Sequence, residues 1–289
     1  KQMLLEQAEE GEDPIAVMTI WLFTFIEMAE LLIKNSSVGF IKAVIFDKDG
    51  TLSNSEEYLL ELAKTRINFF EDKLKKLKLN NIKIWLLKKL LISVYGLKKN
   101  CLSADASLAI ASREQNIIST ATIFTLFGFD WFQSLSIGKE IFDEVDIYLF
   151  NQKGNAQKHR TLISGALDLL VSLKKEGVSI ALMTNDTQGG IEEFICRNKL
   201  EGIFDYHWSA ENKPSKPNPE AVIELCKKMN FNPSDCALIS DADTDLRMAK
   251  EAGITIVVGF NGGWQTPPVL TEKKFLIEKL NELKIHSSY

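Results

Sequence analysis

From about residue 160 the chain alternates short apolar runs with helical stretches, and this alternation constrains the fold more than any other feature. The spacing predicts helices over 162–175, 191–198, 217–229, 244–252 and 272–283, and strands over 178–184, 204–209, 237–240 and 254–258. Gly177 stops the first of these helices, and Pro217 sits near the first turn of the third. Such a rhythm implies an α/β fold, a parallel sheet with helices on both faces. In open sheets of that kind the ligand sits at the carboxyl ends of the strands.

A further strand comes from much earlier in the chain. Ala43 to Phe46 is an apolar run that reads as a buried strand, and it ends in Asp47-Lys48-Asp49-Gly50-Thr51. Period-2 geometry points Asp47 and Asp49 to one side and turns Lys48 away. Gly50 permits a tight turn there. Two acids this close repel unless a cation lies between them or one keeps its proton. A metal-assisted site accounts for the pair, and an acidic surface turn also fits these residues alone.

Between that strand and residue 160 little strand character appears. Ser55-Glu56-Glu57 opens a helix continued by Tyr58, Leu62, Ile67 and Phe70; 82–97, 104–127 and 131–150 read as further helices. A helical module therefore interrupts the α/β part, and the expected domains are 38–52 with 159–289 for the core and 53–158 for the insert. Residues 1–37 are expected to form an N-terminal helical extension. Ile15, Met18, Leu22, Phe25, Ala29 and Leu32 fit a helical stripe, with Asn35-Ser36-Ser37 ending it. Glu27 and Glu30 argue against a membrane span, and the acidic start argues against a signal peptide. The apolar stretch is expected to pack on the protein or on a second copy, making a homo-oligomer. The chain starts at Lys1 rather than Met, which is consistent with residues missing before it.

The net charge of −5 supplies no electrostatic case for nucleic acid. The four cysteines, Cys101, Cys196, Cys226 and Cys236, show no CxxC spacing and read as reduced thiols of a cytoplasmic protein. Between residues 73 and 99 every charged residue is lysine. An anionic partner would suit that stretch. The simpler expectation is a solvated helix face whose apolar side, Trp85, Leu86, Leu90 and Leu91, is packed inward.

Three more strand ends or loops carry polar groups. The strand over 178–184 ends in Thr184-Asn185-Asp186, which suits anion binding and equally a helix cap. Lys213 and Lys216 stand in a proline-rich loop just before a helix. Asp241, Asp243 and Asp245 follow the strand over 237–240, where an acidic helix N-terminus is also expected.

Taken in order, Asp47-Lys48-Asp49-Gly50-Thr51, the apolar strand into Thr184-Asn185, Lys216-Pro217 before a helix, and Asp241 with Asp245 resemble the motif set of the haloacid dehalogenase-like superfamily, most of whose members are phosphatases. The resemblance covers 41–52 and 160–264. It is nearest to the phosphoglycolate phosphatase and β-phosphoglucomutase-like group, in which a loop like Val258 to Trp264 follows the last strand. It implies a Rossmann-like core with a helical C1-type cap inserted after the first motif.

The resemblance also implies roles. Asp47 becomes the nucleophile, forming an aspartyl phosphate, and Asp49 the general acid and then base. Asp47, Asp241 and the Asp49 carbonyl bind Mg²⁺; Thr184 and the Asn185 backbone hold the phosphoryl oxygens; Lys216, with Lys213 as rival, neutralises charge; Asp245 supports the metal shell or Lys216. Dehalogenases of the superfamily carry Tyr and phosphonatases Ala where this chain has Asp49, so a phosphatase is implied. The expected substrate is a small phosphorylated metabolite, with phosphoglycolate or a sugar phosphate first, and neither nucleic acid nor membrane is an expected partner. A phosphomutase of the same fold is the alternative, and a non-catalytic binding protein the reading from another class.

Overall fold

A computed structural model of the chain describes residues 28–152 and 160–287. It opens with a hairpin, β1 (Ala29–Ile33) and β2 (Ser36–Ile41), and continues into β3 (Ala43–Phe46). The insert follows as α1 (Glu56–Lys76), α2 (Asn81–Val94), α3 (Ser107–Ile110), α4 (Arg113–Thr125) and α5 (Trp131–Asn151). The chain then alternates through α6 (Ala166–Lys175), β4 (Ser179–Met183), α7 (Gln188–Asn198), β5 (Tyr206–Trp208), α8 (Pro219–Met229), β6 (Cys236–Ser240), α9 (Asp243–Glu251) and β7 (Ile256–Phe260). Two last strands, β8 (Phe275–Ile277) and β9 (Leu283–Ser287), close it.

The central sheet has the order β5-β4-β3-β6-β7-β8, and every pairing in it is parallel. Its middle strand, β3, is fully buried, which is why its sequence is a continuous apolar run. Val44 and Phe46 pack with residues of α6 and α7, whereas Ala43 and Ile45 pack with residues of α8 and α9. Helices thus cover both faces, as the alternation predicts.

The insert has its own core. Phe70, Phe124 and Phe142 are fully buried, with ring centroids 5.2 Å apart for the first two and 6.4 Å for Phe70 and Phe142. The two joints of the insert are tied together. Asn54 N–H donates to the Thr161 carbonyl and Ile163 N–H to the Leu52 carbonyl, each at 2.8 Å. Both joints therefore sit beside the sheet end that carries Asp47.

Two expected helices are strands. Residues 29–33 form β1, with Ala29, Leu31 and Ile33 facing the core at period 2 and Leu32 turned partly out. Lys34 and Asn35, both at positive φ (52° and 64°), make a two-residue hairpin turn, so Ser36-Ser37 begins a second strand rather than ending a helix. The rest of the proposed N-terminal stripe lies outside the described residues. The stretch over 272–283 holds β8 and the 3₁₀ turn Leu280–Glu282, and Leu283 opens β9. Its apolar residues are drawn into pairings with β7 and β1 that no local period reveals.

Candidate active site

The site begins where β3 runs out. The Lys48 carbonyl accepts from the N–H groups of Leu52 and Ser53 at 3.0 and 2.8 Å, which folds residues 48–53 into a tight turn. Gly50 stands in it at φ +83°, where a Cβ would lie 2.4 Å from both Asp241 Oδ2 and Trp264 Nε1. No larger residue fits. Lys48 is not turned away into solvent. It is buried, with Nζ 2.9 Å from Asp49 Oδ2 and 2.7 Å from Asp186 Oδ2. Burial works against its charge, but the two carboxylates hold its pKa above the ordinary lysine value. Ser55, at the start of α1, makes no helix cap; its hydroxyl donates to Asp49 Oδ1 at 2.5 Å. Asp49 is thus held from two sides.

Lys216 is the second fixed point. Only 6 % exposed, its ammonium lies 2.6 Å from Asp47 Oδ1 and 2.5 Å from Asp245 Oδ2, and it donates to the Met183 carbonyl at 3.2 Å. Asp245 also accepts from Ser240 Oγ at 2.9 Å. Lys213 is exposed and donates to the Ala210 carbonyl, so the fold brings Lys216 and not its neighbour to the carboxylates. Burial alone would discharge Lys216, but Asp245 and Asp47 keep its pKa above the ordinary value. Burial lifts the Asp47 carboxyl well above the usual range, and Asp245 and Asp241 push the same way against Lys216.

Asp241, at the end of β6, accepts from Thr51 Oγ1 at 2.6 Å and from Trp264 Nε1 at 2.6 Å. Burial raises its pKa to about 6 despite those hydrogen bonds. Lys216 thus pairs with Asp47 and Asp245, while Asp241 adds a third carboxylate near enough to act on Asp47. That excess of buried negative charge, on hard oxygen donors, fits a divalent cation. Among the described residues no ready-made cluster of His, Cys, Asp and Glu side chains exists. The implied set for Mg²⁺ needs only the carboxylates of Asp47 and Asp241 and one backbone carbonyl, with water completing the shell.

Asp47, Asp49, Thr184, Asn185, Lys216, Asp241 and Asp245 all line one cavity of about 420 Å³. Thr184, at the end of β4, is buried, and its hydroxyl accepts from Asp186 N–H at 3.1 Å. The Asn185 side chain reaches across to the insert and donates to the Ile110 carbonyl at 2.8 Å. The insert's wall carries Tyr58, Arg66 and Arg113, joined by Arg160 at its return joint. Arg160 stacks on Tyr58 with its guanidinium carbon 3.7 Å from the ring centroid. Arg66 and Arg160 each keep a buried Nε–H without a hydrogen-bond partner among the described residues.

Sequence reasoning missed several of these groups. Lys48 was set aside because strand alternation assigned it outward, yet β3 stops at Phe46 and the turn points it in. Trp264 lies in a loop whose resemblance gives it no role; a tryptophan directly after the Gly262-Gly263 pair was the available signal. The arginines, scattered over residues 66–197, left none.

A haloacid dehalogenase-like hydrolase family model matches residues 41–253. Phosphoglycolate phosphatase 1 of Pseudomonas aeruginosa is 30 % identical over 124 residues, which cover 41 % of this chain and 44 % of that protein. The chain spans about half the length of the curated relatives it matches, 54 % and 44 % for two of them. Among solved structures, a predicted phosphoglycolate phosphatase from Haemophilus somnus 129PT superposes with a TM-score of 0.58 at 19 % identity, over 83 % of this chain and 95 % of that one. A putative β-phosphoglucomutase from Thermotoga maritima gives 0.56 at 19 % identity, over 84 % and 96 %. These structures share the fold, an α/β sheet with helical insertions. With the family model covering most of the chain, the protein belongs to the haloacid dehalogenase-like hydrolases.

Proposed function

We propose that the protein is a Mg²⁺-dependent phosphatase of a small acidic phosphomonoester, with phosphoglycolate or a sugar phosphate the first candidates. The observation that carries this reading is the contact of Lys216 with both Asp47 and Asp245 in the cavity that also holds Asp49 and Thr184.

In this reading Asp47 attacks phosphorus, the P–O bond to the alcohol breaks, and Asp49 gives the leaving oxygen its proton. Asp49 then takes a proton from the water that hydrolyses the aspartyl phosphate. Thr184 and the Asn185 backbone donate to the phosphoryl oxygens. Lys216 keeps the nucleophile oriented and offsets the charge spread over those oxygens. Mg²⁺, held by Asp47, Asp241 and the Asp49 carbonyl, would supply Lewis-acid screening between the carboxylate and the phosphate dianion. Asp245 positions Lys216.

Cavity size and charge support the substrate class. About 420 Å³ suits a small molecule. The guanidinium groups of Arg66, Arg113 and Arg160 on the cavity wall favour a second acidic group on the substrate. A phosphate-release screen over small phosphomonoesters, with and without Mg²⁺, tests the proposal. Release without a bisphosphate activator is the expected result; transfer only to a second sugar hydroxyl would make the protein a phosphomutase, and full activity in excess chelator would remove the metal.

A further inference from the structure

Helix α2 carries apolar residues on two faces. Ile84, Leu87 and Leu91 enter the core of the insert. Trp85, Leu86 and Leu90, expected on that inner side, point outward instead: Ile82 is 72 % exposed, Trp85 57 %, Leu86 43 % and Leu90 38 %. The spacing 82, 85, 86, 90 is one face of a helix. From Ile82 to Leu90 this face runs about 12 Å along a helix about 21 Å long.

The charges around it have one sign. Residues 73–99 hold nine lysines and no acid, in a chain of net charge −5. Lys73, Lys75 and Lys88 are spent on Glu140 and Glu71. Lys76 and Lys78 before α2, Lys83 and Lys89 on it, and Lys98 and Lys99 after it are exposed, with no carboxylate partner among the described residues. They bracket the apolar face at both ends. Lys89 Nζ lies 5.7 Å from the Trp85 ring centroid, so its stem runs along the apolar surface while its charge stays at the water side. No residue of α2 lines the cavity.

We propose that the outer face of α2 docks on an anionic lipid surface. Trp and Leu on one face and unpaired lysines at its margins form the pattern of an interfacial helix. The lysines supply long-range attraction to acidic headgroups, each strengthening binding about fivefold, and the apolar stripe sinks into the headgroup boundary. At 14 residues α2 is too short to span a bilayer, so attachment through it is peripheral. This goes beyond the proposed function and does not depend on it, and it runs against the expectation that no membrane is a partner.

The test is cosedimentation of the full chain with phosphatidylcholine vesicles, pure or holding about 30 mol % phosphatidylserine. The expected result is binding to the acidic vesicles alone, weakening about tenfold or more between about 0.05 and 0.5 M salt. The double variants Trp85→Ser/Leu86→Ser and Lys83→Gln/Lys89→Gln should lower the apparent affinity about tenfold and about twenty-fivefold respectively, with circular dichroism and thermal midpoint unchanged. Absence of binding by the full chain would overturn the proposal. So would binding that neither variant weakens, which would assign it to another region such as residues 15–26. A dimer dissolved by Trp85→Ser/Leu86→Ser, with no vesicle binding, would overturn it in favour of a second copy.

Discussion

Trp264 and Thr51 hold the two oxygens of Asp241 from opposite sides of the site, and each comes from a different segment of the chain. Trp264→Phe keeps the ring in the insert's core and removes one charge-assisted hydrogen bond. The expected cost is about 1–2 kcal/mol, or a fall of about 3–5 °C in thermal midpoint. The same variant should raise the Mg²⁺ concentration needed for half-maximal turnover, as Asp241→Asn does more severely; a Mg²⁺ titration of phosphate release checks both, and unchanged titrations in both variants would take Asp241 out of the metal site. The acids of this site were legible as motifs, because each follows an apolar strand. Lys216 was legible with them, but several of their other partners were not. Lys48, Ser55 and Trp264 reach the site through turns and long-range packing, and neither period nor propensity carries that information.

At the scale of elements, the parallel sheet was readable from β3 to β7, where each strand is an isolated apolar run, but its edge strand β8 reads locally as helix. The flanking antiparallel sheet β2-β1-β9 was not, since β9 comes from the opposite end of the chain to β1 and β2. The insert reads as helical from its pattern, but its seating on the core depends on single residues. Glu56, buried at the start of α1, accepts from Leu102 N–H in the insert at 2.9 Å and from Gln265 N–H in the core at 2.7 Å. Glu56→Gln sets an amide donor against one of those N–H groups. We expect a loss of about 2 kcal/mol in stability, read from denaturant unfolding, and a raised KM with little change in kcat. An unaltered KM would show that this link does not govern closure of the insert.

For the molecule as a whole, β1 (Ala29–Ile33) marks how far the N-terminus can be cut back. Removing residues 1–27 should leave the chemistry intact, because every site residue lies beyond them. Removing 1–37 takes away Leu31 and Ile33, both buried in the main core. Burial of two such side chains is worth about 3–6 kcal/mol, so this truncation should aggregate or unfold early in a thermal scan. Equal stability of the two truncations would contradict that limit. The insert, tied at both joints beside the cavity, also predicts a size limit. Catalytic efficiency should be far higher on small monoesters than on a phosphopeptide or a 5′-phosphorylated oligonucleotide; preference for either large substrate would mean that the insert does not seal the site.

The central claim is that Asp47 carries the phosphoryl group. The most direct measurement is acid quenching of wild-type protein during turnover of a ³²P-labelled small phosphomonoester with Mg²⁺, followed by peptide mapping. The account predicts acid-stable, alkali-labile label on the peptide that contains Asp47, absent from Asp47→Asn together with phosphate release. Phosphate release that persists in Asp47→Asn, or label mapping to another residue, would contradict it.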